Sequence, residues 1–290
     1  MTVSPGAWAI RLDRYSGGWR ASGDLNVVIG RSVFADGEEK GLCASWSWDG
    51  HELVVRDDPF GFASLFCHIS ADTIVIGSSP FAMVALGLAV RLDTEALALF
   101  ARLGFHVFNR TLYREITRFP RGAVLRVGPA GVQFKTHELP FPSAAARNIP
   151  EASDAWESHF AMAVRRRLPS SDFVLPLSGG RDSRMLLLEL IRHGFSPAQL
   201  LTITGSGVPD NADAVAAAAL TAALGQQLQC HRQSRKWYVN EMQRNVQGGC
   251  NALEHNWIID FLHAVDGSRL LNYDGLGAGV ITRGDLCSPQ

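Results

Sequence analysis

Phe173-Val174-Leu175-Pro176-Leu177-Ser178-Gly179-Gly180-Arg181-Asp182-Ser183-Arg184 is the stretch on which the fold turns. Phe173 to Leu177 is a short apolar run of the kind that makes a buried strand. Ser178, Gly179 and Gly180 follow at once, and Met185 to Ile191 then form an apolar helical run stopped by Gly194. The segment therefore reads as strand, glycine turn, helix. Such a turn aims several backbone N–H groups at one point, and the helix N-terminus adds partial positive charge there, which suits a phosphate. Adjacent glycines allow close backbone approach, and the Ser178 and Ser183 hydroxyls are expected to donate further hydrogen bonds. Asp182 would repel a phosphate, so its place beside one implies Mg²⁺ bridging to the phosphate oxygens. The same residues would also serve an ordinary strand-to-helix turn, with Ser or Asp as N-cap. A Walker A loop is excluded, because no G-x-x-x-x-G-K-[ST] occurs.

Downstream the pattern repeats. Leu200 to Thr204 reads as a strand, Gly205 to Asn211 as a loop, and Ala212 to Leu224 as an alanine-rich helix ended by Gly225. Leu228 to His231 reads as a strand, Leu253 to Val265 as a helix, and Arg269 to Tyr273 as one more strand before Asp274-Gly275-Leu276-Gly277. Strands alternating with helices imply a doubly wound parallel sheet with ligands at the carboxyl ends of its strands. The loops Ser178 to Ser183, Gly205 to Asp213 and Asp274 to Gly279 all fall at that edge. Upstream, Trp156, Phe160, Ala163, Val164 and Leu168 share a helical face, and the stretch from Leu139 to about Glu151 reads as a linker.

The first half is different in kind. Leu25 to Ile29, Gly41 to Trp48, Glu52 to Arg56 and Thr73 to Gly77 are strand-like, with Asp49-Gly50 as a hairpin turn. A helix over Thr94 to Leu103 is capped by Asp93, and Ala123 to Val127 with Val132 to Lys135 form a second hairpin. This is an antiparallel, sheet-rich domain.

Length and composition fit two domains. The chain has 290 residues, 47% apolar and 19% charged, with a formal net charge of −1. That charge gives no reason to expect nucleic acid as a partner. No apolar run approaches the ~20 residues that span a bilayer, and no basic-then-apolar leader opens the sequence, so no membrane partner and a cytoplasmic location are expected. Five widely spaced cysteines with no C-x-x-C pair argue against a disulfide framework or a zinc site. His231, His255 and His263 read as ordinary histidines, since no carboxylate–His spacing fits a known metal site.

The order S-G-G-x-D-S after an apolar strand resembles the pyrophosphate loop of N-type ATP pyrophosphatases. In the first half, Arg56 to Phe66 (R-D-D-P-F-G-F-A-S-L-F) is similar to the R-D-P-x-G-x-x-x-L-Y segment of glutamine amidotransferase domains of the N-terminal-nucleophile type. Ile76 to Pro80 is similar to the segment that leads to F-A-S-E in those domains, and Arg114 to Gly122 to their I-x-x-L-P-P-G turn. The combination resembles the asparagine synthetase family over nearly the whole chain. It implies an α/β protein in two parts. Residues 1–145 would be an N-terminal-nucleophile-like domain, and residues 146–290 an adenine-nucleotide α-hydrolase-like domain that lacks the family's C-terminal helical region.

The resemblance further implies the chemistry and the residues. An ATP-dependent carbon–nitrogen ligase would adenylate a small-molecule or peptide carboxylate on ATP·Mg²⁺, release pyrophosphate, and pass the acyl group to ammonia or an amine. Leu177, Ser178, Gly179, Gly180, Asp182, Ser183, Thr204, Asp274 and Gly275 match the nucleotide-binding positions, Asp182 the metal ligand, and Arg181 with Asp182 the catalytic pair. A homodimer is compatible with the family. Two departures qualify it. Position 2 is Thr2 where glutamine-using members expose a nucleophilic cysteine, and Cys43 to Trp48 replaces their N-G-E stretch, so loss of glutamine hydrolysis is expected, as in the β-lactam synthetase and lasso-peptide cyclase branches. Leu276, Gly279 and Val280 stand where the family has acidic residues, which leaves a second Mg²⁺ ligand open, with Asp285 as a substitute. A nucleotide-binding protein without catalysis is the alternative.

Overall fold

The computed structural model describes residues 7–35, 38–136, 148–205, 211–234, 236–247, 257–265 and 271–275. Chain packing divides it into two compact units, Met1–Ser143 with Glu241–Glu254, and Ala144–Asn240 with His255–Gln290. Thr2, the linker residues 139–147, His255, Leu276, Gly279, Val280 and Asp285 lie outside the described residues.

The first unit opens with β1 (Ala9–Tyr15), β2 (Gly18–Gly23), β3 (Asn26–Ala35), β4 (Glu38–Trp48), β5 (Leu53–Arg56), β6 (Phe66–Ile69) and β7 (Thr73–Gly77). Helices α1 (Pro80–Ala85) and α2 (Thr94–Leu103) follow, then β8 (Thr117–Arg118), β9 (Ala123–Gly128) and β10 (Gly131–Thr136). The strands make two five-stranded sheets, in the orders β2-β1-β7-β6-β8 and β10-β9-β5-β4-β3, and every pairing is antiparallel. Alternation explains their stacking. Ile10 and Leu12 of β1 and Ile74 and Ile76 of β7 share one buried cluster with Trp46 of β4, Leu53 and Val55 of β5, and Leu125 and Val127 of β9. The two sheets therefore face each other through the residues that point inward from each. The opposite side of the first sheet is also covered. Val75 and Phe66 pack there against Ala82 and Met83 of α1, which is why β7 reads as a continuous apolar run rather than an alternating one.

Local chemistry sets the turns. Asp49 Oδ1 accepts from the backbone N–H groups of His51 and Glu52 at 2.8 and 2.7 Å, and Gly50 takes φ +100°, so β4 and β5 close in register with Trp48 opposite Leu53. Helix α2 starts where Asp93 accepts from the Ala96 N–H. The hairpin β1–β2 was missed in the sequence reading, although Ile10-Arg11-Leu12-Asp13 alternates apolar and polar residues. Arg11 pairs with Asp13 at 2.8 Å and donates to the Gly87 carbonyl, Asp13 accepts from the Thr73 hydroxyl, and Ile10 and Leu12 are buried.

The second unit holds α3 (Ile149–Arg165), β11 (Phe173–Pro176), α4 (Arg181–Arg192), β12 (Gln199–Thr204), α5 (Ala212–Ala223), β13 (Leu228–Arg232), α7 (Trp257–Val265) and β14 (Leu271–Asn272); α6 (Trp237–Gln247) lies between β13 and α7 in the chain. The four strands lie parallel in the order β13-β12-β11-β14. One face, through Phe173, Leu175 and Leu200, packs on Leu187 and Leu190 of α4, Ala217 of α5 and Val164 of α3. The other, through Val174 and Leu201, packs on Phe261 of α7. With both faces covered, the strands can be apolar throughout. The chain runs outward from β11 to β12 and β13, then returns to place β14 on the other side of β11. The strand order reverses there, at the point where open α/β sheets form their crevice. No helix among the described residues is long and apolar enough to cross a membrane.

Helix α5 begins with a side-chain cap, Asn211 Oδ1 accepting from the Ala214 N–H at 2.7 Å. Asn211→Ala is expected to cost about 1 kcal/mol of stability, read as a lower denaturant midpoint at unchanged slope.

Candidate functional site

The glycine turn is built by its two serines. Ser183, in the first turn of α4, is buried. Its Oγ accepts from the Ser178 N–H at 3.2 Å and lies 3.2 Å from Ser178 Oγ. Ser178 Oγ in turn accepts from the Gly180 N–H at 3.1 Å. In this structure the two hydroxyls brace the turn and each other; their mutual contact uses one hydroxyl proton, which leaves the other to donate. Gly180 caps α4 with extended backbone and no side-chain hydrogen bond, so neither Ser nor Asp is the N-cap. The orphan N–H groups of a helix start are then left to backbone, water or ligand. Arg184 Nε donates to the Gly180 carbonyl at 2.9 Å and holds the turn from behind.

The glycines have different uses. A Cβ on Gly179 would lie 2.8 Å from Asp213 Oδ1 and 3.0 Å from Ala216 Cβ. Gly179 is bare because the start of α5 packs on it. A Cβ on Gly275 would lie 3.0 Å from the Ser183 nitrogen and 3.1 Å from the Asp182 carbonyl carbon. The loop after β14 thus rests directly against the first turn of α4, and only glycine fits that approach.

These contacts frame a cleft of about 430 Å³ at the carboxyl edge of the sheet. Leu177, Ser178, Gly180, Asp182, Ser183, Asp274 and Gly275, seven of the positions expected from sequence, line it together. Three others are placed elsewhere. Gly179 lies under Asp213, outside the lining. Arg181 is exposed and is not a lining residue. Thr204 is buried at the end of β12, where its hydroxyl donates to the His231 carbonyl at 3.4 Å and its own carbonyl accepts from the Gln233 N–H. Thr202 and Ile203 line the cleft in its stead. The Leu177 N–H is committed to the Leu201 carbonyl at 2.8 Å.

Six lining residues were not named as site residues from the sequence: Pro176, Leu201, Thr202, Ile203, Asp213 and Trp257, of which Asp213 closes a loop expected at this edge. Asp213 falls in the first turn of α5, where an acidic residue is unremarkable because it complements the helix dipole. Trp257 opens α7, and a tryptophan beginning an apolar helix looks like core. In the structure it is half-buried at the cleft and packs edge-on against Phe261, ring centroids 6.4 Å apart. The lining thus combines backbone, hydroxyls and three carboxylates with the apolar side chains of Leu177, Leu201, Ile203 and Trp257. Among the described residues no three His, Cys, Asp or Glu side chains gather to hold a metal.

No family model matches the sequence, and no curated protein matches it. Among solved structures, glutamine phosphoribosylpyrophosphate amidotransferase from B. subtilis, complexed with ADP and GMP, is 15% identical over 66% of this chain and 32% of its own, with a TM-score of 0.23. A structure described as the allosteric regulatory enzyme of purine biosynthesis is 12% identical over 67% of this chain and 47% of its own, with a TM-score of 0.25. The chain spans less than half the length of either. Superpositions this loose assign no residue a counterpart.

Proposed function

We propose that the second unit binds ATP in the cleft and uses it to activate a carboxylate for amide formation, as in the asparagine synthetase family. The observation that carries this reading is the meeting of the glycine turn, the start of α4 and the Asp274-Gly275 loop at the sheet's reversal point. The phosphates would lie at the α4 N-terminus, favoured by its dipole and N–H groups. The apolar wall of Ile203 and Trp257 suits a flat base. Asp182, half-buried in the cleft, would hold Mg²⁺. When bound, the ion would neutralise charge on the phosphate oxygens.

In this reading a carboxylate oxygen attacks the α-phosphorus while its bond to the pyrophosphate oxygen breaks. Pyrophosphate leaves into the turn, where backbone donors stabilise its charge. An amine then attacks the acyl carbon, AMP departs with the former carboxylate oxygen, and the amine's proton is lost to water. The amine is ammonia or belongs to the substrate, as in β-lactam and lasso-peptide cyclases. The first unit, with its two facing antiparallel sheets, is read as an amidotransferase-like domain of the N-terminal-nucleophile type.

One observation favours a second reading, nucleotide binding without catalysis: Arg181, the expected partner of the leaving pyrophosphate, is outside the lining. Calorimetry with Mg·ATP tests both. Binding is expected, and Ser183→Ala should weaken it roughly fivefold, since one hydrogen bond that braces the turn is lost. Formation of AMP from ATP with L-aspartate and ammonium, or with an amine-bearing carboxylate, supports the ligase. ATP binding without AMP from any such acceptor supports the second reading. No ATP binding overturns both.

A further inference from the structure

The first unit contains a cavity of its own, of about 430 Å³, that the nucleotide reading does not use. It begins at the end of β5, where Asp57 and Asp58 stand side by side and do different work. Asp58 is fully engaged: Oδ1 accepts from the Phe60 N–H at 2.8 Å and Oδ2 from the Ala63 N–H at 2.6 Å, which closes the turn. Asp57 lines the cavity and is only 9% exposed, yet its Oδ1 has no hydrogen-bond partner among the described residues. A buried carboxylate oxygen without a donor is costly, and native structures rarely leave one so. Burial and the charge of neighbouring Asp58 push its pKa up to about 7, against the pull of the Asp58 backbone N–H and of Arg118.

The rest of the cavity has opposite charge and an apolar wall. Arg118 and Arg121 line it, and neither forms an ion pair with a carboxylate among the described residues. Among the described residues the Arg118 side chain donates to the Ser64 hydroxyl, at 3.4 Å. Phe60, Leu65 and Phe119 supply the apolar side. An anion alone would suit the guanidiniums and be repelled by Asp57. An amine alone would suit Asp57 and be repelled by the guanidiniums. A molecule carrying both charges on an apolar body satisfies all three groups. Cys43 to Trp48 has no part in the lining.

We propose that this cavity binds a small apolar amino acid, its ammonium on Asp57, its carboxylate on Arg118 and Arg121, and its side chain against Phe60, Leu65 and Phe119. The proposal does not rest on the nucleotide reading. The test is calorimetry on the full chain with three probes of one shape: L-leucine, 3-methylbutylamine and 4-methylpentanoate. L-Leucine should bind at least about tenfold more tightly than either singly charged probe. Asp57→Asn should weaken leucine roughly ten- to a hundredfold, the range expected when a charged hydrogen bond is lost, and erase its advantage over 4-methylpentanoate. Arg118→Gln should erase its advantage over the amine. An unaltered thermal melt at acid pH shows that a variant is folded. The proposal is overturned if leucine gives no heat at millimolar concentrations, if the amine alone binds as well, or if leucine affinity survives both substitutions.

Discussion

Gly275→Ala is expected to lower the stability of the second unit by about 1–3 kcal/mol, the usual cost of overpacking, and to weaken Mg·ATP binding at least about tenfold. The reason is where the new methyl would land. It would meet the Ser183 nitrogen at 3.0 Å and the Asp182 carbonyl carbon at 3.1 Å, with Asp182 Cβ at 3.4 Å. Two of these atoms are backbone of the first turn of α4 and cannot swing aside as a side chain would. Either the loop after β14 lifts away or the helix start shifts, and both would open the place assigned to the phosphates. Gly205→Ala is the control, because a Cβ there meets no atom of the described residues within 4 Å. Thermal melts and calorimetry on both variants decide the matter. If Gly275→Ala melts and binds like the parent, the loop after β14 is not part of the site.

Asp57→Asn should stabilise the protein at pH 8 and change it little at pH 4. Burial, with Asp58 beside it, raises the Asp57 carboxyl from an ordinary 3.8 to about 7 in the folded chain. Between those values the unfolded chain has released its proton while the folded chain keeps it, so stability falls as pH rises through the window. Above about pH 7 both states are ionised and the penalty is complete. Asparagine keeps the shape and removes the charge, so its advantage over aspartate should grow from acid to base and then level off. Melting temperatures of parent and variant at pH 4, 6 and 8 measure it. A difference that is constant with pH, or that grows toward acid, would mean that Asp57 has a partner in solution. A ligand with an ammonium group should reduce the difference at pH 8, which links this measurement to the leucine experiment.

The parts of the fold that were legible are those whose signal is local. Helix α2 begins and ends where Asp93 and the apolar spacing put it, because a cap and a 3.6-residue period are properties of ten adjacent residues. Strand β7 spans Thr73–Gly77 as read, and the Asp49-Gly50 turn joins its strands in register. The alternation of strand and helix after Phe173 carried the parallel sheet. Hairpin β1–β2 was missed because the alternation Ile10-Arg11-Leu12-Asp13 is only four residues long and ends at Arg14 and Tyr15. Strand β6 was lost because Phe66 to Ile69 is too short to show a period.

For the site, the sequence by itself determined the strand, the glycine turn and the helix, and with them three loops expected at one edge of the sheet. Residue order along a strand or helix fixes which way each element ends, so the edge could be read from pattern alone. It could not say which atoms meet there. Only the tertiary structure showed that Ser178 and Ser183 hold each other, that Gly179 is bare for the sake of Asp213, and that Gly275 rests on the backbone of Asp182 and Ser183. It also drew Asp213 and Trp257 into the cleft and left Thr204 bonded to the next strand. Each of these is a contact between residues distant in the chain, and a contact of that kind is set by how two elements pack, which neither element's own sequence specifies.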